Sequence, residues 1–266
     1  MTRKAVFFDI DGTLWDLNNQ IPDSTVRAIH ELQRNGHLAF INTGRTRAFV
    51  RRRNLLDIGF DGICCGCGTM LEIGGEALYY HRISDDLVIH TVETVRKYHF
   101  KPVLEGRYNL YLDDQDFADD FFGMKLKDEL GDDLLSIKDN WGSWEISKLS
   151  CATPAPLADV DSCRKELGKY YQFMAHNSEV CELVPAGHTK ASIIDKVCEK
   201  FGIDISDTVA IGDGVNDIDM LSHAGVGVAM GNGSEEAKAA SDMVTSPIGQ
   251  DGVFNALSRL GLILDK

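Results

Sequence analysis

The 266-residue chain holds no uninterrupted apolar run long enough to cross a bilayer. Its opening stretch, MTRKAVFFDIDG, lacks a cleavable signal pattern because charged chemistry begins at Asp9. A cytoplasmic location is the resulting expectation. Positive charge is in deficit: 27 Lys and Arg stand against 41 Asp and Glu, for a formal net charge of −14. That balance argues against nonspecific association with nucleic acid or with an anionic membrane surface. The seven cysteines are odd in number and are not arranged in the two-cluster spacing of a structural metal site, so free buried thiols are expected rather than disulfides or a thiolate centre. No pair among the eight histidines has the HxxxH spacing of metal ligands.

At this length the chain can bury one large core or two moderate ones. From the N-terminus an apolar run (Ala5 to Ile10) is followed by a helical segment carrying Val26, Ile29 and Leu32 and closed by Gly36. Then come the run LAFINTG, an Arg-rich stretch from Arg45 to Arg53 predicted as helical, and the short run GICC. Strand and helix alternate as βαβαβ, which implies parallel strands. The same grammar returns near the C-terminus. A helix with Ile193, Ile194, Val197 and Phe201 precedes the strand TVAIGD, a short helix from Asn216 to His223, and the runs GVGVAM and DMVTS. Between them the texture changes to aromatic-bearing runs (NLYLDD, SWEISKLS, YYQFMAH, EVCELV) separated by two helical stretches, Gln115 to Leu130 and Pro156 to Tyr170. The expected fold class is α/β, with a parallel-sheet core from residues 1–82 and 186–266 and an α+β domain inserted as residues 83–185.

Four clusters fall where a predicted strand ends or a helix begins, the edge at which open α/β sheets build their sites. The first lies in VFFDIDGTL. Along an extended chain Asp9 and Asp11 point the same way while Ile10 points oppositely, so two like charges crowd unless a cation or a proton relieves them. The second is Asn42-Thr43-Gly44-Arg45, where a hydroxyl and loop and helix amides could cradle a phosphate, with a plain helix N-cap at Thr43 as the bland alternative. Of the arginines beyond it, only Arg45 is near enough to matter, and the rest are expected on a solvated helix face. The third, Gly212-Asp213-Gly214-Val215-Asn216-Asp217, offers hard oxygen ligands suited to Mg2+ without the acidic spacing of an EF-hand, although an Asp/Asn/Gly turn would read similarly. The fourth is Lys190 in PAGHTKASII. A lysine in a first helical turn is unfavourable toward the helix dipole and calls for an anionic partner, unless it is simply a surface lysine.

Taken together, DIDGTL, the Thr of NTGR, Lys190 and GDGVND, in this order, resemble the four motifs of the haloacid dehalogenase superfamily. The inserted segment and the ending VGVAMGNGSEEAKAASDMVT resemble its Cof-type phosphatases with a large α/β cap. CCGCGTML (Cys64 to Leu71) departs from the Asn-Gly-Ala type of sequence that relatives often carry there. The resemblance implies a Rossmann-like core with a mobile cap and a Mg2+-dependent phosphatase acting on small phosphate monoesters, sugar phosphates or phosphorylated cofactors such as pyridoxal phosphate or flavin mononucleotide. It implies that Asp9 is the nucleophile forming an aspartyl-phosphate and that Asp11 is general acid and then base. Mg2+ would be held by Asp9, the Asp11 backbone carbonyl and Asp213, with Asp217 in support. Thr43, Gly44, Lys190 and Asn216 would bind the phosphate. A phosphomutase and a noncatalytic phosphometabolite-binding module are the alternatives, and no protein partner is implied. Tyr111, Asp113, Glu182 and His188 are the candidates for substrate selection.

Overall fold

The computed structural model describes residues 2–117, 121–154, 156–175 and 179–264. The chain divides into two compact units, one comprising Met1–Gly44, Arg51–Tyr79 and His188–Lys266, the other Arg45–Val50 and Tyr80–Gly187. In chain order the first unit runs through β1 (Ala5–Phe8), α1 (Asp23–Arg34), β2 (Leu38–Asn42), α2 (Arg53–Leu56), β3 (Gly62–Cys65), β4 (Met70–Ile73) and β5 (Glu76–Tyr80). The second holds α3 (Asp85–Lys97), β6 (Lys101–Gly106), β7 (Leu110–Tyr111), α4 (Phe121–Leu130), β8 (Leu134–Leu135), β9 (Ile146–Ala152), α5 (Val160–Leu167), β10 (Tyr171–Ala175) and β11 (Val180–Pro185). The first resumes with α6 (Lys190–Phe201), β12 (Thr208–Gly212), α7 (Ile218–His223), β13 (Val226–Ala229), α8 (Glu235–Ala239), β14 (Met243–Val244) and α9 (Gly252–Arg259).

In the first unit the strands form one sheet in the order β14-β13-β12-β1-β2-β3-β4-β5. From β14 to β3 every pairing is parallel, and β4 returns antiparallel to β3. Strands β1, β2 and β12 are buried at every residue, as expected where helices cover both faces and the sequence reads as a continuous apolar run. On one face Phe7, Phe40 and Ala210 pack with Ile193, Ile194 and Val197 of α6 and with Met220 and Leu221 of α7. Helix α1 buries Thr25, Ala28, Ile29 and Leu32, the 3.6-residue stripe visible in its sequence, and packs beside α9.

The second unit has a six-stranded sheet, β10-β11-β9-β6-β7-β8, antiparallel except for the β7–β8 pair. Helices α3 and α5 supply Val88, Val92, Val95, Cys163 and Leu167 to a core with Leu104, Leu149, Cys151 and Leu183. A second cluster joins Val103, Leu110 and Leu112 to Leu126 and Leu130 of α4. No helix among the described residues is long and apolar enough to cross a membrane. All seven cysteines are free thiols, and only Cys198 is not fully buried.

Three expectations from sequence change. The Arg45 to Arg53 stretch is not a helix: residues 45–50 form bends and turns, and only the short α2 follows at Arg53. Besides turn bonds from Phe49 to Thr46 and from Val50 to Arg47, this segment bonds to distant residues, Thr46 Oγ1 donating to Glu105 Oε2 at 3.2 Å and the Ala48 amide to the Gly106 carbonyl at 3.4 Å. The helix expected over Gln115 to Leu130 is a 3-10 turn at Asp114–Asp116 and then α4, with residues 118–120 outside the described set. The helix expected from Pro156 starts only at Val160, where the Asp159 carboxylate caps it by accepting from the Ser162 amide at 3.0 Å. His176, at the end of the run YYQFMAH, also lies outside the described residues.

Candidate active site

Because β12, β1 and β2 are adjacent and parallel, their C-terminal ends open on one edge of the sheet. The register pairs Phe8 with Ile211 and with Ile41, so Asp9 leaves β1 level with the ends of both neighbours. The Asp9 amide still donates to the Ile211 carbonyl at 2.9 Å. Asp213 follows β12 and Thr43 follows β2. Lys190 comes to the same edge as the first residue of α6.

The Lys190 ammonium, 1 % exposed, lies 2.6 Å from Asp9 Oδ1 and 2.6 Å from Asp217 Oδ1. This is the anionic partner its helix position calls for, and its helix start is capped by Thr189, whose hydroxyl accepts from the Ala191 and Ser192 amides. Asp217 is wholly buried and its other oxygen accepts from the Asp213 amide at 2.9 Å and the Gly214 amide at 2.8 Å. Both of its oxygens are therefore engaged, and it holds the 213–214 loop and the lysine together. Thr13 Oγ1 donates to Asp213 Oδ1 at 3.0 Å. Ligand oxygens of Asp9, Asp213 and Asp217 lie within 4.8 Å of one another, a set that could bind a metal ion.

Glycines make this packing possible at two points. A Cβ on Gly12, whose φ is +81°, would sit 2.2 Å from Asp213 Oδ2, and one on Gly212 would sit 2.6 Å from the Asp217 carboxyl carbon. Charge crowding appears in the titration of the site. Burial, and after it repulsion from Asp217, pushes the Asp9 carboxyl well above the usual carboxylate range, with Lys190 opposing. Burial, and after it Asp217, pushes Asp213 up to about 6 against the Thr13 bond. Burial disfavours the Lys190 charge, but Asp217 and Asp9 outweigh it and raise the ammonium above the ordinary lysine range.

The two carboxylates of DIDGTL differ in burial and in partners. The chain leaves β1 at Phe8 and turns through Gly12. Asp9 turns inward to Lys190, whereas Asp11 is exposed and its Oδ1 accepts from Trp15 Nε1 at 2.9 Å. Thr43 is buried in the loop after β2, its amide donating to the Cys64 carbonyl at 3.0 Å and its carbonyl accepting from Cys67 at 3.1 Å. Gly44 follows in a buried bend. No helix begins there, which corrects both the helix amides expected in the cradle and the N-cap alternative. Asn216 is partly buried in the 3-10 turn Val215–Asp217. The Arg45 guanidinium is 3.7 Å from Glu129.

Among the selection candidates, Tyr111 belongs to the hydrophobic core of the second unit. Asp113 is spent on structure there, accepting from Arg96 at 2.7 Å, Ser136 at 2.9 Å and the Lys138 amide at 3.0 Å. Glu182 pairs with the buried Lys148 at 2.9 Å. In the first unit His188 Nε2 lies 2.6 Å from the Tyr79 hydroxyl.

Sequence reasoning assigned nothing to Trp15 or to Asn232, whose Nδ2 donates to the Gly12 carbonyl at 2.8 Å. Asn232 follows the end of β13, so the same strand-end reasoning that found the other clusters could have found it. Trp15 carries no such signal.

Residues 6–257 match the family described as haloacid dehalogenase-like hydrolase. The chain is 31% identical over 280 residues to YkrA of Bacillus subtilis, whose name assigns it provisionally to the phosphatases, with 99% of this chain and 100% of that protein covered. Among solved structures, a hypothetical protein of Geobacillus kaustophilus superposes with a TM-score of 0.84 at 30% identity, covering 98% of this chain and 100% of that one. A sugar phosphatase of HAD subclass IIB superposes with a TM-score of 0.80 at 29% identity and the same coverage.

Proposed function

The chain belongs to the haloacid dehalogenase-like hydrolase family, and from that premise we propose that it is a Mg2+-dependent phosphatase that hydrolyses small phosphate monoesters through an aspartyl-phosphate on Asp9. The observation that carries this reading is the cluster of Asp9, Asp213 and Asp217 around the Lys190 ammonium at the ends of parallel strands.

The donor set fits the ion. Its oxygens are hard, and although burial is the first cause of the raised proton affinity of Asp9 and Asp213, repulsion from Asp217 adds to it and is charge that a divalent cation would relieve. Asp9, the Asp11 backbone carbonyl and Asp213 would hold Mg2+, which when bound would neutralise charge on the phosphate and orient it. Asp217, with both oxygens committed, would support from behind.

Lys190, bonded to Asp9 Oδ1 at 2.6 Å, would hold the carboxylate while one of its oxygens attacks phosphorus in line. Asp11 would donate a proton to the departing oxygen and then take one from the water that cleaves the phosphoenzyme, with the Trp15 indole holding its orientation. Thr43, Gly44, Lys190 and Asn216 would hold the transferring phosphoryl oxygens. The unit spanning Tyr80–Gly187 would select the substrate. Sugar phosphates are the favoured class, in keeping with the sugar phosphatase that superposes on this chain.

Phosphate release, followed across sugar phosphates and phosphorylated cofactors with Mg2+ and then with EDTA, tests the reading. Metal-dependent release abolished by Asp9→Asn is the expected result. Movement of phosphate between substrate positions without release would instead identify a mutase.

A further inference from the structure

We propose that Asn42 is a positioning residue that fixes Lys190 relative to Thr43, setting the spacing of two groups that hold the phosphate. This rests on the reading of Thr43 and Lys190 given above. Asn42 closes β2 and is wholly buried. Its Nδ2 donates to the Lys190 carbonyl at 2.8 Å and lies 3.5 Å from the Met220 sulfur. Its Oδ1 is buried with no hydrogen-bond partner.

A half-satisfied amide is an unfavourable occupant of such a place, since an apolar side chain of similar size would fill it without desolvating a carbonyl. What asparagine supplies there, and leucine cannot, is the N–H to Lys190. Asn42 is also the covalent neighbour of Thr43, so one side-chain bond joins the backbones that carry the two phosphate-holding groups. The contact spans 148 residues of sequence, and it is made between the end of a strand and the first turn of a helix.

The surroundings stiffen the same link. Thr43 exchanges backbone bonds with Cys64 and Cys67. In the same loop Gly68 approaches Thr189 so closely that a Cβ would sit 2.2 Å from its carbonyl oxygen. Thr189 and Ser192 close a capping box around the start of α6. Lysine has a long flexible stem, so the position of its ammonium between Asp9 and Asp217 depends on where its backbone is anchored. Asn42 contacts neither Asp9 nor the proposed phosphate position through any bond in the structure, and it acts through Lys190.

Asn42→Leu keeps the volume and removes the donor, and Asn42→Ser keeps a hydroxyl too short to reach. Each is prepared alone and combined with Lys190→Met. Inorganic phosphate binding is read by calorimetry with Mg2+ present, alongside kcat and KM on an aryl phosphate and the melting temperature. Misplacement by about an ångström can cost on the order of 100-fold in rate, so a folded Asn42→Leu protein should lose roughly 10- to 100-fold in kcat/KM, with weaker phosphate binding. In the Lys190→Met background it should weaken phosphate binding no further, because residues acting through one another are not additive. Wild-type phosphate binding in folded Asn42→Leu and Asn42→Ser proteins, or a full additional loss in the Lys190→Met background, would overturn the proposal. If the wild-type protein itself neither bound phosphate nor released it from esters, the reading of the site would fail, and this inference with it.

Discussion

Trp15 Nε1 donates to Asp11 Oδ1 at 2.9 Å, and the Arg52 guanidinium lies 5.9 Å from the centre of the same indole ring. The exposed carboxylate is thereby given one orientation by a buried ring. Trp15→Phe keeps most of the packing and deletes the donor. If Asp11 is the general acid, this variant should lose more kcat/KM on alkyl phosphates than on aryl phosphates, whose leaving groups need little protonation, by about 10-fold in the ratio. Rates for a matched pair of such esters measure it, and equal losses would deny Trp15 that part.

Gly12 brings the first loop against the third. Gly12→Ala would place a methyl group 2.2 Å from Asp213 Oδ2 at a φ of +81°, conditions that force either the loop or the carboxylate to move. The expected result is weaker Mg2+ binding by roughly 10-fold or more, an outer-sphere-to-ligand sensitivity consistent with metal-site support effects, read as the Mg2+ concentration giving half-maximal thermal stabilisation.

Asp213 gives the metal-free protein a definite pH response. Its pKa is raised from 3.8 to about 6 by burial first and Asp217 second, so the folded state binds its proton more tightly than the unfolded chain does. That contribution to stability is fully present below about pH 4 and is lost as pH rises through about 6. In EDTA, Asp213→Asn should therefore stabilise the protein relative to wild type near pH 8, by at most about 3 kcal/mol, and show little difference near pH 4. Mg2+ should reverse the order at pH 8, because a ligand of the native state stabilises only the protein that binds it. Denaturation midpoints at the two pH values, with and without Mg2+, test both halves.

In the second unit the sign is opposite. Asp113 is 2 % exposed. Burial favours its neutral form, but the bonds from the Lys138 amide, Arg96 and Ser136 outweigh that and hold the carboxyl below its ordinary value. Its stabilisation is present above the unfolded pKa and disappears as pH falls through the lower folded one. Asp113→Asn should cost about 2 kcal/mol at pH 7, since it leaves Arg96 with Asp116 alone, and much less at about pH 2. Urea unfolding at the two pH values distinguishes this from a role in the reaction, which would leave stability unchanged.

The parallel core was legible because β1, β2 and β12 are short, mainly apolar runs, β1 followed by Asp9 and the other two closed by Asn42 and Gly212, so both burial and the strand ends can be read from the chain. Strands β4 and β5 escaped because MLEI and EALYY mix polar and apolar residues, with EALYY at the partly exposed edge of the sheet. Arg45–Val50 reads as helical from composition, yet besides its local turn bonds it reaches Glu105 and Gly106, more than fifty residues away. Tertiary bonds of that kind override local propensity. At the site, Lys190 was legible through its conflict with the helix dipole, and the structure supplies the two carboxylates that resolve it. The different surroundings of Asp9, buried against Lys190, and Asp11, exposed beside Trp15, were not legible, because alternation holds only while the chain stays extended and Gly12 ends that.

The most direct test of the central claim is chemical trapping of the proposed phosphoenzyme. Asp11→Asn protein, expected to accumulate an acyl phosphate because water activation is impaired, is mixed with an aryl phosphate and Mg2+, quenched, and reduced with borohydride. Reduction converts an aspartyl-phosphate to homoserine, which is then located by mass spectrometry of the N-terminal peptide. The account predicts substrate-dependent homoserine at position 9 and none when Asp9→Asn is added. Continued phosphate release with position 9 unmodified in every sample would contradict it and make water, rather than Asp9, the group that attacks phosphorus.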